Sequence, residues 1–152
     1  MNDERENQIK EITSAIDRTQ FLYVKWSKSR GENYYISTVV YMLYSEGVAK
    51  QKELVEKYGM PKQTVGTVIS ELERKGYVTL KVDEEDKRSK NVTLTKAGLE
   101  YAKTIVMPLM NCEKKALNNM GDKNIKALIE NLNLYSELLE KEMKNYNNEN
   151  DL

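Results

Sequence analysis

The sequence predicts a mainly α-helical fold with one small β-hairpin, which places it in the α+β class. Three observations lead to this prediction. Long stretches near both ends of the chain repeat apolar residues at the three- and four-residue spacing of amphipathic helices. Residues 61–98 read instead as a helix, a strand, a charged loop, a second strand and the start of another helix. Finally, 152 residues are enough to bury a hydrophobic core without disulfides or metals.

The first part of the chain predicts three helices. In the first helix, apolar residues recur at helical spacing as far as Trp26, and Gly31 ends it. The second helix covers 34–46, and the third is short and lies just before Gly59. A short helix, a tight turn and a further helix are the components of a helix-turn-helix.

The fourth helix carries the feature that is most informative about function. It begins at Pro61, which suits the first helical position, and it ends at Gly76. Its apolar residues fall on one side and are expected to face inward: Val65, Val68, Ile69 and Leu72. The opposite side is small and polar, with almost no charge before Arg74. Such a surface suits insertion into the major groove of DNA, because a solvated side would carry more Lys and Glu.

A charged β-hairpin is expected directly after this helix. Two β-rich runs, 77–82 and 91–95, flank a loop of mostly charged residues. Taken alone, the helix and the hairpin would each fit an ordinary amphipathic helix and an ordinary hairpin. Their order and short spacing together predict a winged helix-turn-helix.

The last part of the chain predicts two more helices. Thr95 is a candidate N-cap for the first of them, and Pro108 is expected to kink or split it. Gly121 separates it from a final helix, whose apolar stripe runs from Ile125 to Met143. That stripe is too large to stay exposed on a small domain.

These elements predict a division of the chain by function. The N- and C-terminal helices, at 1–32 and 99–148, form a dimerisation region, since their apolar stripes both need partners. The winged helix-turn-helix at 33–98 forms the DNA-binding domain, and residues 149–152 form a frayed tail. A twofold dimer would match a palindromic operator with half-sites about one DNA turn apart.

Composition narrows the functional class. The chain has one Cys and no His, which excludes an intrachain disulfide, a multi-Cys zinc site and the usual His-dependent catalytic pairs. We therefore expect no enzyme, no metal and no cofactor. No apolar run approaches the ~20 residues of a membrane span, and the polar start is no signal peptide, so a cytoplasmic protein is expected. The net charge is zero, and the acidic run 83–86 is expected to weaken the attraction of the wing for DNA.

The hairpin also carries a specific sequence pattern. It consists of Asp86-Lys87-Arg88, followed by Val92, Leu94, Thr95 and Gly98. This pattern resembles the wing signature D-x-R-x-x-x-V-x-L-T-x-x-G of the MarR family of bacterial transcriptional regulators. The recognition helix of that family and its exit are similar to Thr64-Val65, Leu72-Glu73 and Gly76-Tyr77-Val78. The resemblance implies a homodimer that binds double-stranded DNA.

The residues expected to bind DNA lie on the fourth helix and on the hairpin. Base edges are expected to be read or approached by Gln63, Thr64, Thr67 and Ser70. Phosphates are expected to be held by Lys62, Arg74 and Lys75. The wing is expected to add Asp86, Lys87, Arg88 and Lys90. The resemblance implies that Arg88 enters the minor groove and that Asp86 orients its side chain.

Two departures from the family pattern affect these contacts. Thr67 stands where an arginine is frequent, and Leu80 stands where the exit strand often carries one. Each departure removes a phosphate or base contact. The affinity and preferred site of relatives therefore do not carry over to this chain.

Aromatic residues are concentrated in the first two helices. The resemblance implies an effector site between the dimerisation helices and the winged helix, for a small aromatic or amphipathic molecule. The candidates are Tyr23, Trp26, Tyr34, Tyr35, Tyr41 and Tyr44. The alternative is ordinary packing, in which Tyr keeps its hydroxyl in water.

The sequence therefore predicts a dimeric transcriptional repressor of the MarR type that a small-molecule effector releases or modulates. Two alternatives remain. The first is an oxidation-sensing regulator that uses the thiol of Cys112, although no strong activating group lies near it in sequence. The second is a winged helix that binds protein, which the acidic wing and the zero net charge permit.

Overall fold

A computed structural model describes residues 2–84, 87 and 89–150 of the chain. The described residues form, in chain order, α1 (Asn2–Ser29), α2 (Tyr34–Glu46), β1 (Val48–Lys50), α3 (Gln51–Tyr58), α4 (Lys62–Arg74), β2 (Val78–Val82), β3 (Lys90–Leu94), α5 (Lys96–Met120) and α6 (Asp122–Asn150). The predicted fold class, mainly helical with a β-hairpin wing, is confirmed.

The chain divides into two compact units, Met1–Pro108 and Leu109–Leu152. The first unit contains the whole winged helix-turn-helix, and the second contains the end of α5 and all of α6. The predicted assignment of dimerisation and DNA binding to separate parts of the chain stays a prediction.

The sheet has three strands among the described residues, in the order β1-β3-β2. β3 pairs antiparallel with both neighbours, so the hairpin of β2 and β3 is extended by β1. β1 was not predicted from the sequence; the predicted short third helix corresponds to α3, which begins at Gln51. The reason is physical: a strand of three residues has too short a pattern to detect, and its partner lies more than forty residues away, at Asn91–Thr93.

The core of the first unit is built from α2, α3, α4, the first part of α5 and the sheet. The residues of α4 that were expected to face inward are all buried, at 5% exposure or less. They share the interior with fully buried side chains from other elements: Val39, Val40, Met42, Leu43, Leu54 and Val92. One boundary differs, because α4 begins at Lys62 and Pro61 is its N-cap, where the missing N–H also costs no helical hydrogen bond. The predicted inner face of α4 is confirmed.

The first turn of α5 rests directly on the chain that leaves α4. The backbone N–H of Thr95 donates to the Tyr77 carbonyl at 3.0 Å. The hydroxyl of Thr95 donates to the Gly76 carbonyl at 2.7 Å and accepts from the Gly98 N–H at 3.0 Å, so Thr95 caps the helix as predicted. A Cβ atom on Gly98 would lie only 1.8 Å from the Tyr77 carbonyl oxygen. Glycine is therefore required at this position by close backbone approach.

Pro108 does not split α5, contrary to one of the two outcomes expected for it. The helix is continuous from Lys96 to Met120 and contains Pro108 in its interior. A proline inside a helix removes one backbone hydrogen bond, and the turns on either side of it remain intact here. The boundary between the two compact units falls directly after this proline.

Long helices at both ends of the chain expose apolar side chains. On α1 the exposed set is Ile9, Ile12, Ile16, Phe21, Leu22, Tyr23 and Val24. On α6 it is Leu128, Ile129, Leu132, Leu134, Leu138, Leu139, Met143 and Tyr146. None of the helices in the described ranges has the length and apolar character that a membrane crossing requires.

We predict that Gly98→Ala destabilises the protein, because the added methyl group collides with backbone rather than with a movable side chain. The expected loss in the free energy of unfolding is roughly 1–3 kcal/mol, typical of overpacking. Chemical denaturation followed by circular dichroism measures it.

The matched control is Gly66→Ala, in the interior of α4. No atom lies within 4 Å of a Cβ built there, so the change should stabilise the helix by about 0.4–1 kcal/mol. Equal effects of the two substitutions would contradict the role of the contact between Gly98 and Tyr77.

Candidate nucleic-acid interface

The outer side of α4 presents most of the predicted DNA contacts together. Exposed side chains on α4 and just after it are Lys62, Gln63, Thr67, Ser70, Arg74 and Lys75, and Thr64 is half-buried. The hydroxyl of Thr67 donates to the Gln63 carbonyl at 3.0 Å, which leaves it free only as an acceptor. The surface thus combines hydrogen-bonding groups in its centre with positive charge at both ends of the helix.

A cleft of about 450 Å³ lies on one side of α4. It brings Lys62 at the start of α4 together with Lys90 at the start of β3, two residues whose contact with DNA stays a prediction. It also contains residues that the sequence analysis missed: Gln51, Lys52 and Ser89. No sequence signal could have found them, because the pairing of β1 with β3 is what brings the start of α3 beside the base of the wing.

A second cleft, of about 330 Å³, lies between α4 and the start of α2. α4 contributes the predicted residues Gln63, Thr64 and Thr67, and α2 contributes Tyr35. The polar outer side of α4 is therefore bordered by concave surface on both sides, and each cleft has hydrogen-bonding groups among its lining residues.

Charge at the end of α4 is not uniform. Lys75 pairs with Glu71 at 2.7 Å, one turn earlier on the same helix. This hydrogen bond raises the pKa of Lys75 and lowers the pKa of Glu71. Both groups are partly exposed, so water screens the pair and it adds little stability. A phosphate would have to compete with Glu71 for Lys75, whereas Arg74 is presented at the surface.

The wing residues fall into two groups. Asp86 and Arg88, which the sequence analysis paired, lie outside the described residues. Lys87 is described and exposed.

Asp83, which was counted with the exposed acidic run, is buried, with 7% of its surface exposed. Its carboxylate lies 3.1 Å from the Lys50 ammonium and accepts from the Asn91 amide at 2.9 Å. The expected repulsion of DNA by the whole run is therefore wrong for Asp83, since its charge is neutralised inside the protein.

Two tyrosine rings, one just after α4 and one on α5, stack on each other. The rings of Tyr77 and Tyr101 lie 4.3 Å apart between centroids, with an angle of 14° between their planes. Burial raises the pKa of Tyr101, and so does its hydrogen bond to Glu32, which lies in the turn before α2. The stack connects α5, the chain that leaves α4, and the turn between α1 and α2.

The aromatic residues expected to form an effector pocket occupy several places. The hydroxyl of Tyr44 lies 3.4 Å from the Met107 sulfur, whereas Tyr35 lines the cleft beside α4. These two residues are separated by roughly 14 Å along α2. The Arg30 guanidinium lies 5.5 Å from the Trp26 ring centre, and the buried indole N–H has no acceptor among the described residues. The structure does not bring Tyr35 and Tyr44 into one pocket, and an effector site at these aromatics stays a prediction.

Cys112 is exposed on α5. In the part of the chain that the structure describes, no group of three or more Cys, Asp or Glu side chains is arranged to hold a metal ion.

The order of helices, the three-stranded sheet and the polar outer side of α4 define a winged helix-turn-helix. Residues 36–89 match the sequence profile of the MarR family. Over this segment the chain is similar to the winged helix-turn-helix of MarR family transcriptional regulators. No curated protein sequence matches the chain closely enough to count as a relative.

Solved structures of MarR proteins share the fold. A MarR family regulator from Neisseria meningitidis has 29% identity and a TM-score of 0.80, over 90% of this chain and 96% of that one. A MarR family regulator from Listeria monocytogenes, complexed with 26mer DNA, has 16% identity and a TM-score of 0.69, over 88% and 89%. MepR of S. aureus in its DNA-binding conformation has 17% identity and a TM-score of 0.69, over 88% and 98%.

The raised pKa of Tyr101 predicts a dependence of stability on alkaline pH. The folded state holds the phenol neutral above its ordinary pKa of about 10. Its contribution to stability is therefore complete below that pH and is lost as pH rises through the folded-state pKa. We expect Tyr101→Phe to lower the free energy of unfolding at neutral pH and to flatten its decline above pH 10.

Urea denaturation at a series of alkaline pH values tests this prediction. Glu32→Gln serves as a second variant, because it keeps the burial of Tyr101 and removes the carboxylate acceptor. The decline of its free energy of unfolding above pH 10 should lie between that of the wild-type protein and that of Tyr101→Phe. Parallel curves for all three would show that Tyr101 does not carry the effect.

Proposed function

We propose that this chain is a homodimeric repressor that reads a palindromic DNA operator with α4 and is released by a small-molecule effector. The observation that carries the proposal is the outer side of α4, whose polar centre is flanked by positive residues. The wing supports it, since Lys90 lies across a cleft from Lys62. A MarR family regulator from Listeria monocytogenes with the same fold is complexed with 26mer DNA, which supports DNA as the kind of partner.

The proposed contacts divide into those that select sequence and those that hold the backbone. Gln63 and Ser70 are exposed polar side chains in the centre of α4 and read base edges, with Thr64 and Thr67 beside them. Lys62, Arg74 and Lys90 bind phosphates, and Lys75 does so after leaving Glu71. Asp86 and Arg88 keep their proposed role at the minor groove, outside the described residues.

The proposed dimer rests on the apolar side chains of the terminal helices. Ile129 of α6 is 55% exposed and Met143 is 58% exposed, and similar residues line α1. Exposed apolar stripes of this length on the helices of a small protein mark interaction surfaces. A second copy of the chain would cover such stripes by symmetry, and it also supplies the second α4 that a palindromic site requires.

The proposed control by effector needs only a difference in affinity between two states. A ligand that binds better to a dimer with misspaced α4 helices shifts the population away from the DNA-binding state. The candidate ligand is aromatic or amphipathic, because Tyr and Trp side chains crowd α1 and α2. The exposure of Cys112 keeps thiol oxidation as a second candidate signal. A Cys112→Ser variant that still responds to peroxide would exclude it.

We predict tight, salt-dependent binding to a fragment of the gene's own upstream DNA. Fluorescence anisotropy at several salt concentrations measures it. Gln63→Ala should cost about 1–3 kcal/mol on the preferred fragment and little on other DNA. Lys62→Ala and Arg74→Ala should weaken binding to all fragments and reduce the slope of log affinity against log salt by about one each.

Lys10→Ala on α1 is the matched control for loss of one positive charge, and it should leave the slope unchanged. Binding that does not weaken with salt would contradict contact with phosphates. It would favour instead a winged helix that binds protein.

The dimer predicts a second result, for Leu132→Glu combined with Leu139→Glu on the exposed stripe of α6. Charges in the dimer interface should yield a monomer in analytical ultracentrifugation. Affinity for paired half-sites should fall roughly a hundredfold or more, because the linked second binding event is lost.

Lys126→Glu combined with Lys144→Glu is the control, since helical periodicity places both residues about 120° around α6 from Leu132. The control changes the charge more, yet it should remain dimeric. A wild-type protein that sediments as a monomer at micromolar concentration would overturn the proposed dimer.

A further inference from the structure

Asp83 is held at the base of the wing by contacts to Ser89, Lys50 and Asn91. It follows the last residue of β2 and precedes the charged tip of the hairpin. Its backbone N–H donates to the Ser89 carbonyl at 3.0 Å, which closes the hairpin below the tip. Its carboxylate contacts the Lys50 ammonium at 3.1 Å and the Asn91 amide at 2.9 Å. An acidic residue in a charged loop is thus built into the interior.

Lys50 connects this contact to the helix-turn-helix. It is the last residue of β1 and the N-cap of α3, and its backbone N–H donates to the Glu53 carboxylate at 2.8 Å. In the sheet it pairs with Asn91, the same residue that donates to Asp83. One short segment therefore ties the start of α3, the edge of the sheet and the base of the wing together.

Burial makes these contacts difficult to lose. A carboxylate removed from water is costly unless it is paired and hydrogen-bonded, and removal of one partner leaves an uncompensated buried charge. The wing cannot tilt away from β1 at its base without separating Asp83 from Lys50. Ser89 and Lys90 line the cleft beside α4, so the position of the base also sets the distance from the wing to α4.

We propose that Asp83 is a positioning residue for the wing, which it fixes against α3 through Lys50 and Asn91. The distance between the wing and α4 is then fixed before DNA binds, so the wing does not have to be reoriented during binding. The wing remains anchored even though its tip is densely charged. The part of this inference that concerns DNA rests on the proposed function, whereas the anchoring of the wing does not.

Hydrogen exchange of the protein without DNA tests the anchoring. Asp83→Asn removes the charge at almost constant shape, and Lys50→Met removes the other partner. Both should increase exchange of the amides at 82–90 by about tenfold or more relative to α2, whose amides report global unfolding. Glu84→Gln removes an exposed charge from the neighbouring position and should leave this exchange unchanged.

Two results would overturn the anchoring. One is unchanged exchange at 82–90 in both variants. The other is an equal increase over the whole first unit, which would mean that Asp83 contributes only to general stability. Lys50→Arg should restore protection, because it keeps the charge that Asp83 needs.

Hydroxyl-radical footprinting on the preferred fragment tests the consequence for DNA. Asp83→Asn should lose protection on the side of the site that the wing contacts and keep protection in the groove that α4 occupies. Equal loss on both sides would contradict a positioning role. If the wild-type protein protects no DNA at all, the proposed function fails, and the exchange result still decides whether Asp83 anchors the wing.

Discussion

The close approach of α5 to the backbone of Tyr77 is the constraint on which the winged helix depends. Gly98 permits this approach, and Thr95 completes it with hydrogen bonds to Gly76 and Tyr77. The chain leaves α4 at this point and enters β2, so the contact fixes both the end of the helix and the start of the wing. The stack of Tyr77 on Tyr101 extends the contact by one turn of α5. A side chain at Gly98 would force α5 and the exit of α4 apart, whatever the rest of the core did.

Electrostatics in this protein are local. The chain has no net charge, which by itself argues against attraction to DNA. The structure shows how a neutral chain can still present a positive surface. Asp83 is paired with Lys50, and Lys52, Lys62 and Lys90 line one cleft from three separate elements, where Glu56 pairs with Lys52 and leaves a net positive lining. Within about a Debye length, roughly 8–10 Å at physiological salt, such a cluster matters more than the total charge.

Local patterns predicted the fold, and contacts distant in sequence escaped prediction. The inner side of α4 followed from the spacing of Val65, Val68, Ile69 and Leu72, because helical periodicity is written in consecutive residues. Thr95 was recognisable as a cap for the same reason. β1 was missed because three residues are too few to show a period. The position of Lys52 and Ser89 beside the wing was missed with it, since the pairing of β1 with β3 creates that position. Asp83 was taken for an exposed acid because its partner, Lys50, lies more than thirty residues earlier. The six aromatic residues were grouped by nearness in sequence, which does not ensure a common pocket.

The same contacts restrict how an effector could act on the proposed regulator. Four buried apolar residues hold α4 along its length. The hydrogen bond from the Tyr77 N–H to the Leu72 carbonyl holds its C-terminal end. The pair of Asp83 and Lys50 holds the base of the wing beside it. Bending α4 within this unit would separate several of these contacts at once, and close-packed interiors deform poorly. Moving two intact winged helices relative to each other breaks none of them. A ligand can shift an equilibrium only by its differential affinity for the two states. It can therefore drive the movement of two intact winged helices more readily than the bending of α4, because that movement costs less free energy. The rigidity of the winged helix-turn-helix therefore favours control of DNA binding through the spacing of the two copies. It does not favour control through a change in the shape of α4.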